Sequence, residues 1–251
     1  MSGDNSSPIW VEKPVKAPVV YLMNPRGHDY EIMAKDDHST SLTAGTGSLV
    51  KSMLGRVFVV GKLEHTGPTI ISEGTLQVNG DITGPVELRA RGTLSGIVGL
   101  KDTIIFEGAL NQEGCRLMPG YDEEEYIEGV IVSEKSMVLP GNVCLEVTAG
   151  MICTTNAVCT PSCGSLYVKG DLTFRNANFI NVNLLHVGEV SYVIAECTGT
   201  LTCDVAKLKM RGLEGVNYDV VVEDGKRLVL KIHKTRAPQA DVTWTGSESR
   251  V

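Results

Sequence analysis

Cysteine is the residue type in this chain best able to bind a metal or take part in redox chemistry. Five of the seven cysteines lie between residues 153 and 203. A structural zinc site needs two close pairs of ligands, and only Cys159 and Cys163 are close enough in sequence to form one. Free cysteines are also among the most buried residue types. The spacing therefore favours packing of reduced cysteines in a narrow core, with metal binding and redox chemistry as the alternatives.

The histidines and acidic residues form no recognisable catalytic pattern. The five histidines are scattered and include no His-x-x-x-His or His-Glu-x-x-His pair. The acidic run over residues 122–125 lacks the alternating spacing and the glycine of a calcium loop, and it is typical of a solvated loop. Residues 45–52 faintly resemble a phosphate-binding loop, but Lys51 follows valine rather than glycine. We predict a protein that is not an enzyme and has no cofactor and no metal.

Composition and charge narrow the class of protein and its partners. Hydrophobic residues make up 42% of the 251 residues and charged residues 21%, which is typical of a globular chain. The net charge of −7 disfavours nucleic acid as a partner, because phosphate contacts need a basic surface. The first twenty residues contain charges and prolines but no unbroken apolar core, so no secretory signal is predicted. We expect a cytoplasmic protein.

Short apolar runs that end at glycine dominate the chain between residues 49 and 232. Val57-Phe58-Val59-Val60 precedes Gly61, for example. Runs of this kind, rich in β-branched residues and bounded by turn residues, predict short strands. Their spacing is closer than in most sandwiches and barrels. We therefore predict an all-β fold, a parallel β-solenoid, with an ordinary β-sandwich as the alternative.

A sequence repeat supports the solenoid. Residues 74–83 recur as residues 164–173 with six of ten positions identical, at an offset of 90 residues. Both this offset and the spacing of local glycines fit a coil of about 18 residues with three short faces. About ten such coils, stacked at about 4.8 Å, predict a core about 50 Å long. The positions assigned to the structural repeat are Gly74, Leu76, Val78, Gly80, Asp81, Gly164, Leu166, Val168, Gly170 and Asp171.

The repeated pattern Leu-x-Val-x-Gly-Asp-Ile/Leu-Thr, with glycine-rich corners and polar ends of the chain, resembles the bactofilins. The similarity is clearest over residues 57–110 and 164–187. Bactofilins are small cytoskeletal proteins with a right-handed β-helix core, and they assemble end to end into filaments without a nucleotide. The resemblance implies a core of that kind and self-association, and it carries over no catalytic residue.

The last part of the chain contains a strong hairpin signal, because Asp224-Gly225 separates two apolar runs. Leu228, Leu230 and Ile232 alternate with mostly polar residues, which predicts an apolar face for a cap or for self-association. The predicted organisation is a polar N-terminal arm with a possible edge strand (1–44), a first solenoid half (45–117), an acidic loop (118–127), a second solenoid half (128–215), a β-hairpin cap (216–236) and a flexible C-terminal tail (237–251).

Together these features predict a structural protein that self-assembles into a filament or oligomer through its β-solenoid, with the chain itself as its partner. Val19, Val20, Tyr21 and Leu22 are predicted to form an edge strand, which could also make peripheral contact with a membrane. Two other classes of function stay open. One is a β-rich binding module or a fibre or shell subunit, and the other is a β-helix carbohydrate-active enzyme.

Overall fold

The computed structural model describes residues 8–34, 41–107, 114–120, 129–153, 159–175, 177–185 and 188–233. These residues form 25 strands and one three-residue 3-10 segment, Val205–Lys207. Nearly all strand pairs are parallel; the exceptions among the described strands are two hairpins and the contact of the second hairpin with the rest of its sheet. The prediction of an all-β chain with mostly parallel strands is confirmed.

The strands are short and are numbered in chain order. The first twelve are β1 Ile9–Val11, β2 Val19–Met23, β3 Tyr30–Ala34, β4 Ser41–Gly45, β5 Ser48–Ser52, β6 Arg56–Val60, β7 Lys62–His65, β8 Thr69–Ile71, β9 Gly74–Ile82, β10 Val86–Arg89, β11 Gly92–Leu100 and β12 Ile104–Glu107. The others are β13 Arg116–Pro119, β14 Val130–Ser133, β15 Met137–Leu139, β16 Cys144–Cys153, β17 Cys159–Cys163, β18 Ser165–Val168, β19 Leu172–Phe174, β20 Phe179–Leu184, β21 Val190–Cys197, β22 Leu201–Cys203, β23 Lys209–Arg211, β24 Tyr218–Glu223 and β25 Arg227–Ile232.

The parallel strands form three ladders. The first ladder runs β1, β3, β6, β9, β11, β13, β16, β20, β23. The second runs β4, β7, the last residues of β9 and β11, β14, β18, β21. The third has two parts, β2–β5–β8–β10–β12 and β15–β19–β22. The chain visits the first, second and third ladders in turn, and each such passage adds one level to the stack.

The number of residues per level is not constant. Gly92 lies opposite Gly74, 18 residues earlier, as predicted. From Arg116 to Cys144 the step is 28 residues, and from Cys144 to Phe179 it is 35. The longer steps contain residues 121–128, which lie outside the described part, and the β16–β17 hairpin. The first ladder therefore has nine strands, and its eight steps of about 4.8 Å give a stack about 38 Å long instead of about 50 Å.

The stack begins earlier in the chain than expected. β1 to β3 and all but the last residue of β4 lie within the segment assigned to a polar N-terminal arm, and these strands pair in parallel with later strands. β2 is the edge strand predicted for this segment, because it pairs only with β5 among the described strands. The first ladder continues from β11 to β13 and the second from β11 to β14, whereas the third is interrupted between β12 and β15. Residues 121–127 of the predicted acidic loop and the predicted tail at 237–251 lie outside the described residues.

The core consists of apolar columns that run along the stack. Equivalent positions on successive strands of the first ladder are occupied by Val57, Leu76, Leu94, Leu117, Leu145 and Ile180, and none of these side chains is more than 1% exposed. Each fully buried side chain of this size contributes about 1.5–3 kcal/mol of hydrophobic stabilisation. The alternation of inward apolar and outward polar residues along each strand produces these columns.

Glycines stack in a column at the corner between the second and third ladders. A Cβ atom on Gly67 would lie 2.3 Å from the carbonyl oxygen of Gly47, and one on Gly84 would lie 2.2 Å from that of Gly67. These distances are far shorter than a van der Waals contact. At these levels the corner approaches the backbone of the previous level so closely that a Cβ atom would clash, whereas the corresponding corners after β11 and β14 contain no glycine.

Candidate functional site at the two ends of the stack

The described residues contain no group of three or more His, Cys, Asp or Glu arranged to hold a metal ion. Cys115, Cys144, Cys163, Cys197 and Cys203 are free thiols. Burial raises the pKa of Cys115 to about 11 and that of Cys163 to about 12. These groups are therefore thiols at neutral pH, whereas the thiolate is the form that reacts and binds metals.

The prediction of reduced cysteines is wrong for Cys159, which is disulfide-bonded. β16 and β17 pair antiparallel, and their register places Cys159 opposite Cys153. The hairpin was not predicted, because the second solenoid half was expected to contain parallel coils only.

Lys51, the lysine of the loop that faintly resembles a phosphate-binding loop, is fully buried. Its Nζ donates hydrogen bonds to the carbonyl oxygens of Ser52, Met53 and Glu73 at 3.0, 2.7 and 3.2 Å. Burial lowers the pKa of Lys51 to about 8. All three of its protons are used within the chain, so this lysine anchors a corner of the stack and is not presented to a phosphate.

His65 is the centre of a buried hydrogen-bonded chain. Its Nδ1 lies 2.7 Å from Oγ1 of Thr43, and its Nε2 lies 2.9 Å from Oγ1 of Thr69. All three side chains are buried, and burial lowers the pKa of His65. The network links β4, β7 and β8 in the interior, so it stabilises the fold and is not exposed to a substrate.

Acidification is expected to destabilise the fold through His65. Because its pKa in the folded chain lies below the ordinary value of 6.5, the unfolded chain binds this proton more tightly. The free energy of unfolding should therefore fall as the pH drops below about 6.5. We expect the urea midpoint at pH 5 to lie below that at pH 7.5, and the difference to shrink in His65→Gln. The half-buried His233 provides the control, since His233→Gln should keep most of the difference. An unchanged pH dependence in His65→Gln would contradict this assignment.

Charged side chains pair across levels at the corner between the second and third ladders. Nζ of Lys101 lies 3.1 Å from Oδ1 of Asp81 and 3.8 Å from Oε1 of Glu134, and Nζ of Lys169 lies 2.9 Å from Oε2 of Glu134. The hydrogen bond from Lys169 lowers the pKa of the Glu134 carboxyl group. Alternating charges on successive levels favour this register over a slipped one. The carboxylates are thus engaged by lysines of neighbouring levels.

The repeat residues mark a local unit of strand, corner and strand. Its four apolar positions are fully buried: Leu76, Val78, Leu166 and Val168. Gly80 and Gly170 lie at corners with φ of 152° and 140°. The first copy leads from the first ladder to the second, whereas the second leads from the second ladder to the third. The copies are three levels apart, through β9, β11, β14 and β18, although their 90-residue offset had predicted five.

The remaining repeat residues also lie at corners or strand starts. Gly74 begins β9 with φ of 70°, and Gly164 is buried just before β18. Asp81 pairs with Lys101, while Oδ1 of Asp171 accepts a hydrogen bond from the backbone N–H of Thr200 at 2.8 Å. These aspartates therefore tie one level to the next.

One end of the stack exposes apolar side chains and is covered by no other described strand. We call β1, Val15 and β2 the N-terminal end; β1 pairs only with β3 and β2 only with β5 among the described strands. Half of the twelve exposed large hydrophobic side chains of the described residues lie there. They are Ile9 (53% exposed), Trp10 (54%), Val15 (41%), Val19 (40%), Tyr21 (62%) and Met23 (59%).

The exposure of Ile9 shows that the core itself is open at the N-terminal end. Ile9 belongs to the inward column that continues through Ile32, Val59 and Val78. Val59 is 1% exposed and Val78 is 0% exposed, because the levels on both sides cover them. Ile9 has a neighbouring level on one side only. Of the four residues considered for membrane contact, Val20 and Leu22 are less exposed than Val19 and Tyr21.

At the opposite end of the stack the predicted hairpin covers the second ladder, whereas β22 and β23, the last strands of the third and first ladders, each pair with one strand only among the described strands. We call β24 and β25 the C-terminal end; β25 pairs antiparallel with β21. Leu228, Leu230 and Ile232 are at most 1% exposed. The carbonyl oxygens of Gly225 and Lys226 accept hydrogen bonds from backbone N–H groups of Leu201 and Cys197. The last strand of the second ladder is thus paired.

The hairpin surface is charged and largely ion-paired. Arg227 pairs with Asp224 at 2.6 Å, and Lys231 pairs with Glu223 at 2.9 Å. Residues 224–226 connect the two strands, with positive φ at Asp224 and Gly225, and the N–H of Lys226 donates a hydrogen bond to the carbonyl oxygen of Glu223 at 3.0 Å. Among the described residues the two ends of the stack therefore differ, since the N-terminal end exposes apolar side chains, whereas the second ladder at the opposite end is covered by a charged hairpin.

Sequence reasoning found the hairpin but missed the N-terminal end. Ile9 and Trp10 lie in a segment rich in proline and charge, which masked the strand that they begin. The only signal was the short apolar run before Glu12.

No protein-family model matches this chain, and no curated protein is found to match it. No helix among the described residues is long and apolar enough to span a membrane.

Proposed function

We propose that the chain is a right-handed parallel β-solenoid that acts as a non-enzymatic structural scaffold and self-associates through its N-terminal end. The ordered visits of the chain to three parallel ladders support the solenoid architecture. The handedness follows from the strong general preference of parallel crossover connections for the right hand.

The observation that carries the self-association is the exposure of Ile9. An inward core position that is 53% exposed, on a level that carries five other exposed apolar side chains, is apolar exposure of the kind that marks an interaction site. The strands at this end also have free edges, which present N–H and C=O groups to a further strand.

A structural role agrees with the surroundings of the side chains that could otherwise take part in catalysis, because these side chains are bonded within the chain. Lys51 and His65 are buried and bonded within the chain. Glu134 is paired with Lys169, and Glu146 lies 2.7 Å from Arg116. A carbohydrate-active enzyme would instead need two available carboxylates facing a cleft.

Self-association is expected to depend on concentration and to need no nucleotide and no metal. The mass of the purified chain, measured by sedimentation equilibrium over a wide concentration range, should rise above that of one copy. Ile9→Lys should raise the dissociation constant at least tenfold, because it places a charge in the contact.

The matched control is Ile105→Lys, since Ile105 is 48% exposed on β12 of the third ladder, four strands away from β2. This variant should associate like the wild type. A chain that stays monomeric at every concentration, or equal weakening by both variants, would refute the proposal.

A further inference from the structure

We propose that the N-terminal end docks onto the N-terminal end of a second copy, so that assembly closes at two copies related by a two-fold axis. This inference rests on the proposed self-association and specifies its partner and its geometry. The contact is isologous, since the same surface is used by both copies.

The chemistry of the two ends selects this partner. A head-to-tail contact would press the apolar N-terminal end against the C-terminal end, whose surface includes the ion pairs Arg227–Asp224 and Lys231–Glu223. Burying such charges against apolar groups is unfavourable. β24 also has a free edge among the described strands, but it is flanked by these charges. Contact between two N-terminal ends buries apolar surface against apolar surface and removes water from both.

The charge distribution also allows two N-terminal ends to meet. The chain carries a net charge of −7, which separates copies in general. Residues 8–29 carry three basic side chains, Lys13, Lys16 and Arg26, and two acidic ones, Glu12 and Asp29. The N-terminal end is therefore free of the negative excess that the whole chain carries.

Nearby segments of the same chain are poorly suited to cover this surface. Residues 1–7 have the sequence Met-Ser-Gly-Asp-Asn-Ser-Ser, and residues 35–40 have the sequence Lys-Asp-Asp-His-Ser-Thr. Met1 is the one large apolar residue in the two segments together. Six exposed apolar side chains need a larger apolar counterpart, which a second copy of the same surface supplies.

Strand direction and proline placement define the contact further. A two-fold axis perpendicular to the stack reverses the strand direction, so β2 of one copy would lie antiparallel to β2 of the other. Pro14 and Pro18 lack an N–H group and weaken pairing on either side of Val15. β2 has five residues without proline, and its middle residue is Tyr21. Two copies of Tyr21 would therefore face each other across the axis.

Site-directed cross-linking tests this arrangement in the full chain. Facing positions on antiparallel strands have Cβ atoms about 4.5–5.5 Å apart, close to disulfide geometry. Under oxidised glutathione, Tyr21→Cys should give a covalent two-copy species on a non-reducing gel. Ile105→Cys, at an exposed position on the same ladder (48% against 62% for Tyr21), should not, and the wild type gives the background from the native cysteines. The mass of the wild type should reach a plateau at two copies.

Each other outcome overturns a defined part of the proposal. Growth beyond two copies, or association without the Tyr21→Cys cross-link, would refute the isologous contact but leave self-association intact. A wild type without any association would refute both. If two copies associate in the Trp244→Ala variant but not in the wild type, the chain's own C-terminal segment covers the N-terminal end. Binding of a monomer to phosphatidylcholine–phosphatidylserine vesicles, lost in Ile9→Lys, would show that the surface contacts lipid.

Discussion

Deletion of residues 215–233 is expected to turn the two-copy assembly into polymers that grow with concentration. The deletion removes β24 and β25 and leaves β21 without its antiparallel neighbour. Tyr192 and Ile194, which are at most 2% exposed beneath this neighbour, would then face water together with a row of unpaired backbone groups. A chain that exposes apolar surface and unpaired strand edges at both ends can bind a further copy at each end. Light scattering should therefore rise steadily with concentration, whereas the wild type reaches a plateau.

The increase in scattering supports the cap assignment only if circular dichroism shows that the truncated chain retains its strand content. Gly225→Val is a milder variant, because Gly225 has φ of 63° in the hairpin turn, and it should give a smaller increase. If the truncated chain stays folded but associates less than the wild type, the hairpin is itself part of the contact and the cap assignment is wrong.

Gly67→Ala is expected to be strongly destabilising, by on the order of 3 kcal/mol. Its new Cβ would lie 2.3 Å from the backbone oxygen of Gly47, and neither backbone can move without disturbing the stacking of its level. Chemical denaturation should show a large drop in the midpoint with little change in slope.

Gly27→Ala is the matched control for this prediction. Gly27 has φ of 82°, but no atom lies within 4 Å of the position that a new Cβ would occupy, so its substitution introduces backbone strain without a clash. A cost of about 1 kcal/mol is expected there. Equal destabilisation by the two variants would show that conformational strain, and not the close approach between levels, explains the glycine column.

The fold class could be predicted from the sequence because its signals are local. Alternation in runs such as Thr75–Val78 indicates which side of each strand faces the core, and the glycines at several corners indicate where a level turns. The terminal hairpin was predictable for the same reason, since Asp224-Gly225 sets the turn by itself. The number of levels could not be predicted in this way. The step from Cys144 to Phe179 contains 17 residues more than the step from Gly74 to Gly92, and local sequence patterns do not determine such insertions.

The candidate site was harder to predict from the sequence, because the exposed fraction of a side chain depends on which strands lie next to it in the fold. Ile9 and Val59 are both apolar residues in short strands, and both occupy the same inward column. Only the position of Ile9 on the first level makes it 53% exposed, while Val59 is 1% exposed. The mixture of proline, lysine and glutamate around Ile9 further concealed the strand.

The contrast between an uncovered and a covered end has a consequence for how the molecule comes apart. Each level contacts only the levels above and below it, so stability is close to a sum of nearest-neighbour terms along one dimension. The first level lacks one of its two neighbours, whereas β21 has β25 on its outer side. At this end, local opening therefore starts at β1 and β2 and spreads inward one level at a time, and a contact that covers these strands slows fraying from this end.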